Sequence, residues 1–280
     1  MGQTPNQALV YAILRPLRRR LGVLALAAAT ALANYFVWGW MGAPIAAPDV
    51  VGGRVGGVGY AAFGRADAPW VRHTSPEILM AADLRQLAGV TSEIRTYTAA
   101  QFPELPKVAA SEGLRLTLGA WLNRDEANNQ REIAAATDAA RAHKNIVRLV
   151  VGNETILKEI FTPRQLTQHL RRARAASPVP VSTAEPWHVW IKHPELAAEV
   201  DFITIHLLPY WEGVGIDTAV DESFERLARV RARFPGKPIL IGEIGYPSRG
   251  DTIKRAEPSP AAQAAFVRQF VTRAQQDKLD

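Results

Sequence analysis

The chain has 280 residues, 48% of them hydrophobic and 21% charged, which is typical of a folded protein rather than a disordered one. It has no cysteine, which excludes disulfides, thiolate catalysis and cysteine-ligated metal sites. Four of its six net positive charges are the arginines at positions 15, 18, 19 and 20, so the rest of the chain lacks a basic excess. We therefore expect no nucleic-acid partner.

The first 54 residues have the pattern of a membrane-directed segment. A basic arm covers residues 1–20, and no charged residue occurs from Leu21 to Pro48. About 20 apolar residues span a bilayer as a helix, and the positive-inside rule places such an arm in the cytoplasm. We predict a transmembrane anchor over residues 21–42, a linker over residues 43–54 and an extracytoplasmic domain over residues 55–280.

A cleaved signal peptide is the alternative interpretation, with a processing site near residues 43–47. Signal peptides have apolar regions of only about 7–15 residues, so the length of this one favours an uncleaved anchor. The anchor predicts a single-pass protein of the inner membrane with a periplasmic domain, and the signal peptide predicts a secreted protein.

Beyond residue 55, strand-like and helical patterns alternate. Strand-like runs cover residues 55–63, 90–98, 114–122, 146–153, 179–184, 202–208 and 239–243; helical patterns cover 76–87, 124–143, a segment opening at Thr162-Pro163, 223–234 and 261–275. This rhythm is typical of a (β/α)8 barrel or a doubly wound sheet. Seven strands are one short of a barrel, so the barrel interpretation predicts an α/β fold truncated before its eighth strand and a longer parent chain.

Two of these runs end in the same way, with glycine followed by a glutamate. Residues 150–154 read Val-Val-Gly-Asn-Glu, and residues 239–243 read Ile-Leu-Ile-Gly-Glu. Continuous apolar runs suit strands buried on both faces of a parallel sheet, and ligands bind where such strands end. Because Glu154 and Glu243 are far apart in sequence, only a closed or nearly closed barrel brings them together. Together they would supply one acid and one nucleophile for glycosidic cleavage.

These segments resemble the two active-site signatures of glycoside hydrolase family 17, the β-1,3-glucanases and their bacterial transglycosylating relatives. The family's Arg-x-Tyr is matched by Arg95-Thr96-Tyr97, and residues 183–187 and 201–211 resemble its fifth and sixth strands. The resemblance covers about residues 55–275. It implies a (β/α)8 barrel in which Glu154 is the general acid/base, Glu243 is the nucleophile and Asn153 hydrogen-bonds the sugar 2-hydroxyl.

Further substrate-binding candidates lie near predicted strand ends. Aromatic side chains that would stack on sugar rings, with ordinary packing as the alternative, are Tyr60, Tyr97, Trp121, Trp187 and Trp211. Tyr210 is predicted to orient Glu243, or else to be a rim aromatic, and Glu185 to bind a sugar hydroxyl, or else to be merely exposed. We expect no cofactor and no metal site, because His188, His193 and His206 fit no standard zinc spacing.

Departures from the plant-type pattern at Leu208, Ile244 and Tyr246 resemble the bacterial branch of the family. In that branch the domain is often joined to a membrane glycosyltransferase. We therefore predict a retaining hydrolase or transglycosylase of β-1,3- or β-1,3/1,6-glucan in bacterial glucan synthesis or remodelling, with a membrane glycosyltransferase as partner or fusion. The alternative is a non-catalytic glucan-binding barrel of a larger membrane glucan synthase.

Overall fold

The computed structural model describes residues 5–41, 51–61 and 76–279. The chain divides into two compact units, Met1–Ile45 and Ala46–Asp280. In the described part of the first unit, residues 5–41, the chain forms one helix, α1 (Pro5–Met41). Within it, Arg20–Trp40 is long and apolar enough to cross a membrane, and none of that stretch is buried. A signal sequence passes the same test, so both interpretations of this segment stay open.

The second unit is built on one sheet of seven parallel strands, joined in sequence order from β1 to β7. The strands are β1 (Val58–Gly59), β2 (Glu93–Arg95), β3 (Arg115–Ala120), β4 (Ile146–Asn153), β5 (Val181–Pro186), β6 (Ile203–Leu207) and β7 (Ile239–Ile244). Parallel neighbours in sequence order are the topology of a (β/α) barrel, so the predicted fold class is confirmed over these seven strands.

Helices connect the strands. They are α2 (Pro76–Ala88), α3 (Leu105–Ser111), α4 (Glu126–Ala142), α5 (Pro163–Ala176), α6 (Trp187–Lys192), α7 (Ile216–Arg233) and α8 (Pro260–Gln276). Two predicted helix starts are confirmed in detail. Thr162 forms a capping box with Gln165 before α5, and Ser259 accepts a hydrogen bond from the backbone N–H of Ala262 at the start of α8.

Some predicted boundaries were wrong. The observed β1 and β2 are shorter than the apolar runs, α7 begins seven residues earlier than its apolar pattern, and the short α3 and α6 were missed. Residues 62–63 of the first predicted strand and most of the predicted linker lie outside the described residues. The prediction that β7 is buried on both faces was also wrong: each of its residues is partly exposed, because β7 is an end strand of the described sheet.

Candidate active site

Glu154 follows β4 in an unusual backbone conformation. Its φ is 55°, and Gly152 just before it has a φ of 84°. A left-handed conformation is costly for a residue with a side chain and persists only where surrounding contacts enforce it. One such contact is the hydrogen bond from the Glu154 N–H to the carbonyl oxygen of Ala184 on β5, at 2.8 Å. The chain therefore turns sharply and directs the carboxylate away from the strand.

Glu185 holds the segment that follows Glu154. Its carboxylate accepts hydrogen bonds from the N–H groups of Ile156 and Leu157, at 2.7 and 3.2 Å, and from the Thr155 hydroxyl at 3.2 Å. Its exposed fraction is 0%, and this burial outweighs the hydrogen bonds and raises its pKa to about 7. Glu185 therefore supports the loop that follows Glu154, and its predicted contact with a sugar hydroxyl stays a prediction.

Glu243 lies on β7 beside a register irregularity. His206 on β6 pairs with Glu243 where the regular register would pair it with Gly242. A side chain at position 242 would approach the Thr204 methyl group to 2.5 Å, so glycine is required there. A register shift also occurs between Val150 and Asn153, on the strand that leads to Glu154. Such bulges re-aim side chains, and here one precedes each glutamate.

Arg95, at the end of β2, anchors Glu243. Its guanidinium donates to Glu243 Oε1 at 2.8 Å, to the Gly242 carbonyl oxygen at 3.0 Å and to Asn153 Oδ1 at 2.6 Å. The Arg95 side chain is only 7% exposed, whereas that of Glu243 is 24% exposed. Arg95 therefore joins the Glu243 carboxylate to the amide oxygen of Asn153.

His206 lies between the two glutamates, and sequence reasoning gave it no role there. Its Nδ1 is 3.1 Å from Glu154 Oε1 and its Nε2 is 3.5 Å from Glu243 Oε1. One carboxylate oxygen of each glutamate and a ring nitrogen of His206 all lie within 4.8 Å of one another. The structure thus brings Glu154 and Glu243 to one place, although 89 positions separate them in sequence.

Glu154 also forms an ion pair with Lys158, whose Nζ is 2.9 Å from Oε2. The hydrogen bond from His206 is the main cause that lowers the pKa of Glu154 to about 2; burial opposes it, and Lys158 reinforces it. Sequence reasoning missed Lys158 as well. Its spacing of four residues resembles a helical ion pair, but the segment is an irregular turn.

Tyr97 lies on the other side of Glu243. Arg95 is 4.7 Å from the centroid of its ring. Burial, the negative charge of Glu243 and a hydrogen bond to that carboxylate raise the pKa of Tyr97 to about 12, with the charge of Arg95 opposing. The hydroxyl therefore stays protonated and donates to Glu243.

A cavity of about 570 Å³ opens beside Tyr97 and Trp121, between the ends of β2 and β3. Besides these two aromatics, its lining includes the polar side chains of Gln101, Asn123 and Asn128. Trp121 is 38% exposed, which leaves part of its ring available to a ligand. Aromatic faces with amide groups around them are suited to sugar rings and their hydroxyls.

Two other aromatic candidates are buried and engaged elsewhere. The Tyr210 hydroxyl donates to the Asp251 carbonyl oxygen at 2.7 Å, and its predicted role in orienting Glu243 stays a prediction. Tyr60 is 8% exposed in the core, and its hydroxyl donates to Asp83 at 3.2 Å. Its predicted contact with sugar stays a prediction.

Trp187 and Trp211 differ in exposure. The Trp187 indole is partly buried and donates to Glu212 at 3.1 Å, and two guanidinium groups lie 5.8 Å from its ring centroid. Trp211 is 70% exposed. Sugar stacking on either ring remains a prediction.

Comparison with known proteins gives a family match over residues 57–279, to the BtgE/BtgC glycoside hydrolase domain. A protein of Saccharomyces cerevisiae described as a probable family 17 glucosidase, SCW10, is 26% identical over 197 residues, which are 67% of this chain and 50% of the relative. The cell surface mannoprotein MP65 of Candida albicans is 26% identical over 48% of this chain and 38% of its own length. The chain thus spans half or less of these relatives.

Among solved structures, the glycoside hydrolase family 17 β-1,3-glucanosyltransferase of Rhizomucor miehei superposes with a TM-score of 0.70 at 25% identity. The match covers 80% of this chain and 84% of that one. An active-site mutant of a β-1,3-glucanosyltransferase from the same organism, solved in complex with laminaritriose, superposes equally well.

Proposed function

This chain belongs to the BtgE/BtgC glycoside hydrolase family, and on that premise we propose that it cleaves or transfers β-1,3-glucan with retention of configuration. The observation that carries the proposal is the convergence of Glu154 and Glu243, with carboxylate oxygens within 4.8 Å of each other. Retaining glycosidases hold their carboxyl groups about 5–5.5 Å apart, whereas inverting enzymes leave about 6.5–9.5 Å for a water molecule. The spacing supports the retaining mechanism.

In this mechanism Glu243 attacks the anomeric carbon while Glu154 protonates the departing glycosidic oxygen. Arg95 holds Glu243 in position, and the Tyr97 hydroxyl donates a hydrogen bond to the same carboxylate. In our proposal Asn153 hydrogen-bonds the sugar 2-hydroxyl. Glu154 then removes a proton from water or from a sugar hydroxyl, which attacks the glycosyl-enzyme and restores both carboxyl groups.

The cavity beside Tyr97 and Trp121 is our proposed binding site for glucosyl units. Its aromatic and amide lining suits neutral sugars, and laminaritriose is the ligand named for the Rhizomucor miehei mutant. We also propose that α1 anchors the domain on the periplasmic face of the inner membrane, where it would act in bacterial β-1,3- or β-1,3/1,6-glucan synthesis or remodelling beside a membrane glycosyltransferase. The span Arg20–Trp40 supports the anchor.

The test is product analysis after the full-length protein, in non-ionic detergent, is incubated with β-1,3-gluco-oligosaccharides. Longer products indicate transfer and shorter products indicate hydrolysis. We expect Glu154→Gln and Glu243→Gln each to reduce turnover by about 10³-fold or more, while the exposed Glu159→Gln, which makes the same chemical change nearby, stays at wild-type level. Full turnover in both active-site variants would refute the assignment.

A non-catalytic glucan-binding barrel is the second candidate, and one observation favours it. The pKa of Glu154 near 2 leaves almost no protonated acid at neutral pH in the empty site. Binding of laminaritriose by the wild-type protein without any change in the sugar would support this candidate over the enzyme.

A further inference from the structure

Lys158 occupies a position between the proposed acid and the proposed sugar platform. Its Nζ lies 2.9 Å from Glu154 Oε2 and 5.7 Å from the centroid of the Trp121 ring. Its side chain is 45% exposed, and it belongs to the irregular turn after β4. Lys158 is therefore more exposed to solvent than Glu154, and it lies beside the ring where a sugar would stack.

This arrangement conflicts with the role of Glu154 unless it changes during the reaction. A general acid must carry a proton when its substrate is bound. In the empty site, however, Lys158 and His206 both contact the Glu154 carboxylate and stabilise its charged form. Removal of one of these two partners is required before Glu154 gains a proton readily.

We propose that Lys158 is a positioning residue that pairs with Glu154 in the empty cleft and is displaced when a glucosyl unit stacks on Trp121. This inference rests on the proposed function, because it assigns Glu154 as the acid. Of the two partners, Lys158 is the one that can leave: the His206 side chain is fully buried on β6, whereas Lys158 is exposed on a turn.

Once Lys158 has left, His206 still opposes proton uptake by Glu154, but the acidic groups that remain around Glu154 favour it. Glu243 from β7 and Glu185 from β5 are acidic, and the negative charges of Glu185 and Glu154 interact. Tyr97 after β2 is neutral at working pH, and Arg95 is paired with Glu243. His206 is then the one cation-forming group still in contact with Glu154 among the described residues, so the balance of charge moves towards a protonated acid.

The first experiment measures protons taken up on binding. Laminaritriose is titrated calorimetrically at pH 5, in buffers of different ionisation enthalpy, into the full-length protein carrying Glu243→Gln to prevent turnover. We expect uptake of up to about half a proton per ligand, because loss of the adjacent cation raises a carboxyl pKa near 2 by about 1–3 units. An added Lys158→Met should reduce this uptake at least threefold. Lys144→Met, which removes the same charge from an exposed site before β4, is the control and should leave uptake unchanged.

The second experiment compares pH profiles of turnover, because kcat/KM reports the free enzyme and kcat reports the bound complex. Lys158→Met should move the alkaline limb of kcat/KM up by about one pH unit or more, since an adjacent cation depresses a carboxyl pKa by about 1–3 units. The alkaline limb of kcat should stay in place. A purely structural role for Lys158 would lower both parameters without moving either limb.

The outcomes separate the two proposals. Equal proton uptake with and without Lys158, or an unmoved kcat/KM limb, overturns the displacement of Lys158 while leaving the proposed enzyme intact. Proton uptake that depends on Lys158 without any turnover supports the displacement and overturns the proposed enzyme. Absence of laminaritriose binding overturns both.

Discussion

Replacing Glu185 with glutamine should change how the stability of the barrel depends on pH. Glu185 is fully buried, and its pKa is raised from 4.5 to about 7. A group whose pKa is raised on folding contributes stability that is fully present below its unfolded pKa and is lost as pH rises through its folded value. For Glu185 the window runs from about pH 4.5 to about pH 7.

The magnitude follows from the shift. A shift from 4.5 to about 7, at 1.36 kcal/mol per pH unit, corresponds to about 3 kcal/mol of wild-type stability lost across the window. Glu185→Gln cannot titrate, so its stability lacks this loss. At pH 4.5 the variant should be less stable than wild type by about 1–2 kcal/mol, because an amide NH2 group would face one of the backbone N–H groups that Glu185 accepts from.

The assay is urea unfolding of the full-length protein, followed by tryptophan fluorescence at several pH values from 4.5 to 8. The difference in unfolding free energy between wild type and Glu185→Gln removes the contributions of all other groups. We expect this difference to change by about 3 kcal/mol in favour of the variant as pH rises. For the control Glu159→Gln, at an exposed site, the unfolding free energy should change with pH in the same way as that of the wild type. Parallel curves for Glu185→Gln as well would refute the reasoning.

Three further predictions concern the site. Arg95→Lys keeps the positive charge but loses the two-pronged guanidinium that joins Glu243 to Asn153 at the end of β4, so kcat should fall by about 10²-fold. Retention of a tenth of wild-type kcat would contradict this prediction. Gly152→Ala should lower the unfolding free energy by about 1 kcal/mol more than the control Gly113→Ala. Both positions have positive φ, but of the two only a Cβ at 152 would contact neighbouring atoms, at 3.2 Å. Equal melting temperatures for the two variants would show that this contact does not destabilise the fold. Trp121→Ala should weaken laminaritriose binding about tenfold, equivalent to about 1.4 kcal/mol, and unchanged calorimetric affinity would remove Trp121 from the binding site.

The alternation of strands and helices could be predicted from sequence because hydrophobic periodicity and capping residues are local signals. Strand β4 was predicted with its observed bounds, Ile146–Asn153, because an apolar run, interrupted by Arg148 alone, ends there at Gly152. Strand β2 was predicted too long: at its start Val90 is 45% exposed, and Thr91 forms only an isolated bridge with Val55. Helix α7 was predicted too short because its first two turns carry mixed polar residues.

Within the site, local sequence placed glutamates at strand ends but gave no information on what surrounds them. Glu185 and Tyr210 sit near strand ends like the other candidates, yet their polar atoms bind backbone groups that only the folded chain brings near. For His206, the sequence did contain one signal. In the strand Ile203–Leu207, side chains two residues apart share a face, so His206 lies on the same face as Thr204. Two polar side chains on one face of an otherwise apolar strand indicate a polar site. Nothing comparable existed for Lys158, whose position depends on the left-handed conformation of Glu154.

The hydrogen bond from Glu154 to Ala184, together with the three that Glu185 accepts, means that β5 determines where the carboxylate after β4 lies. The Val-Gly-Asn-Glu segment is therefore not a portable unit. If the segment were grafted onto another barrel without Ala184 and Glu185, its glutamate would not be held in the position that it has here. Mutational libraries aimed at this enzyme family would do well to vary the two strands jointly.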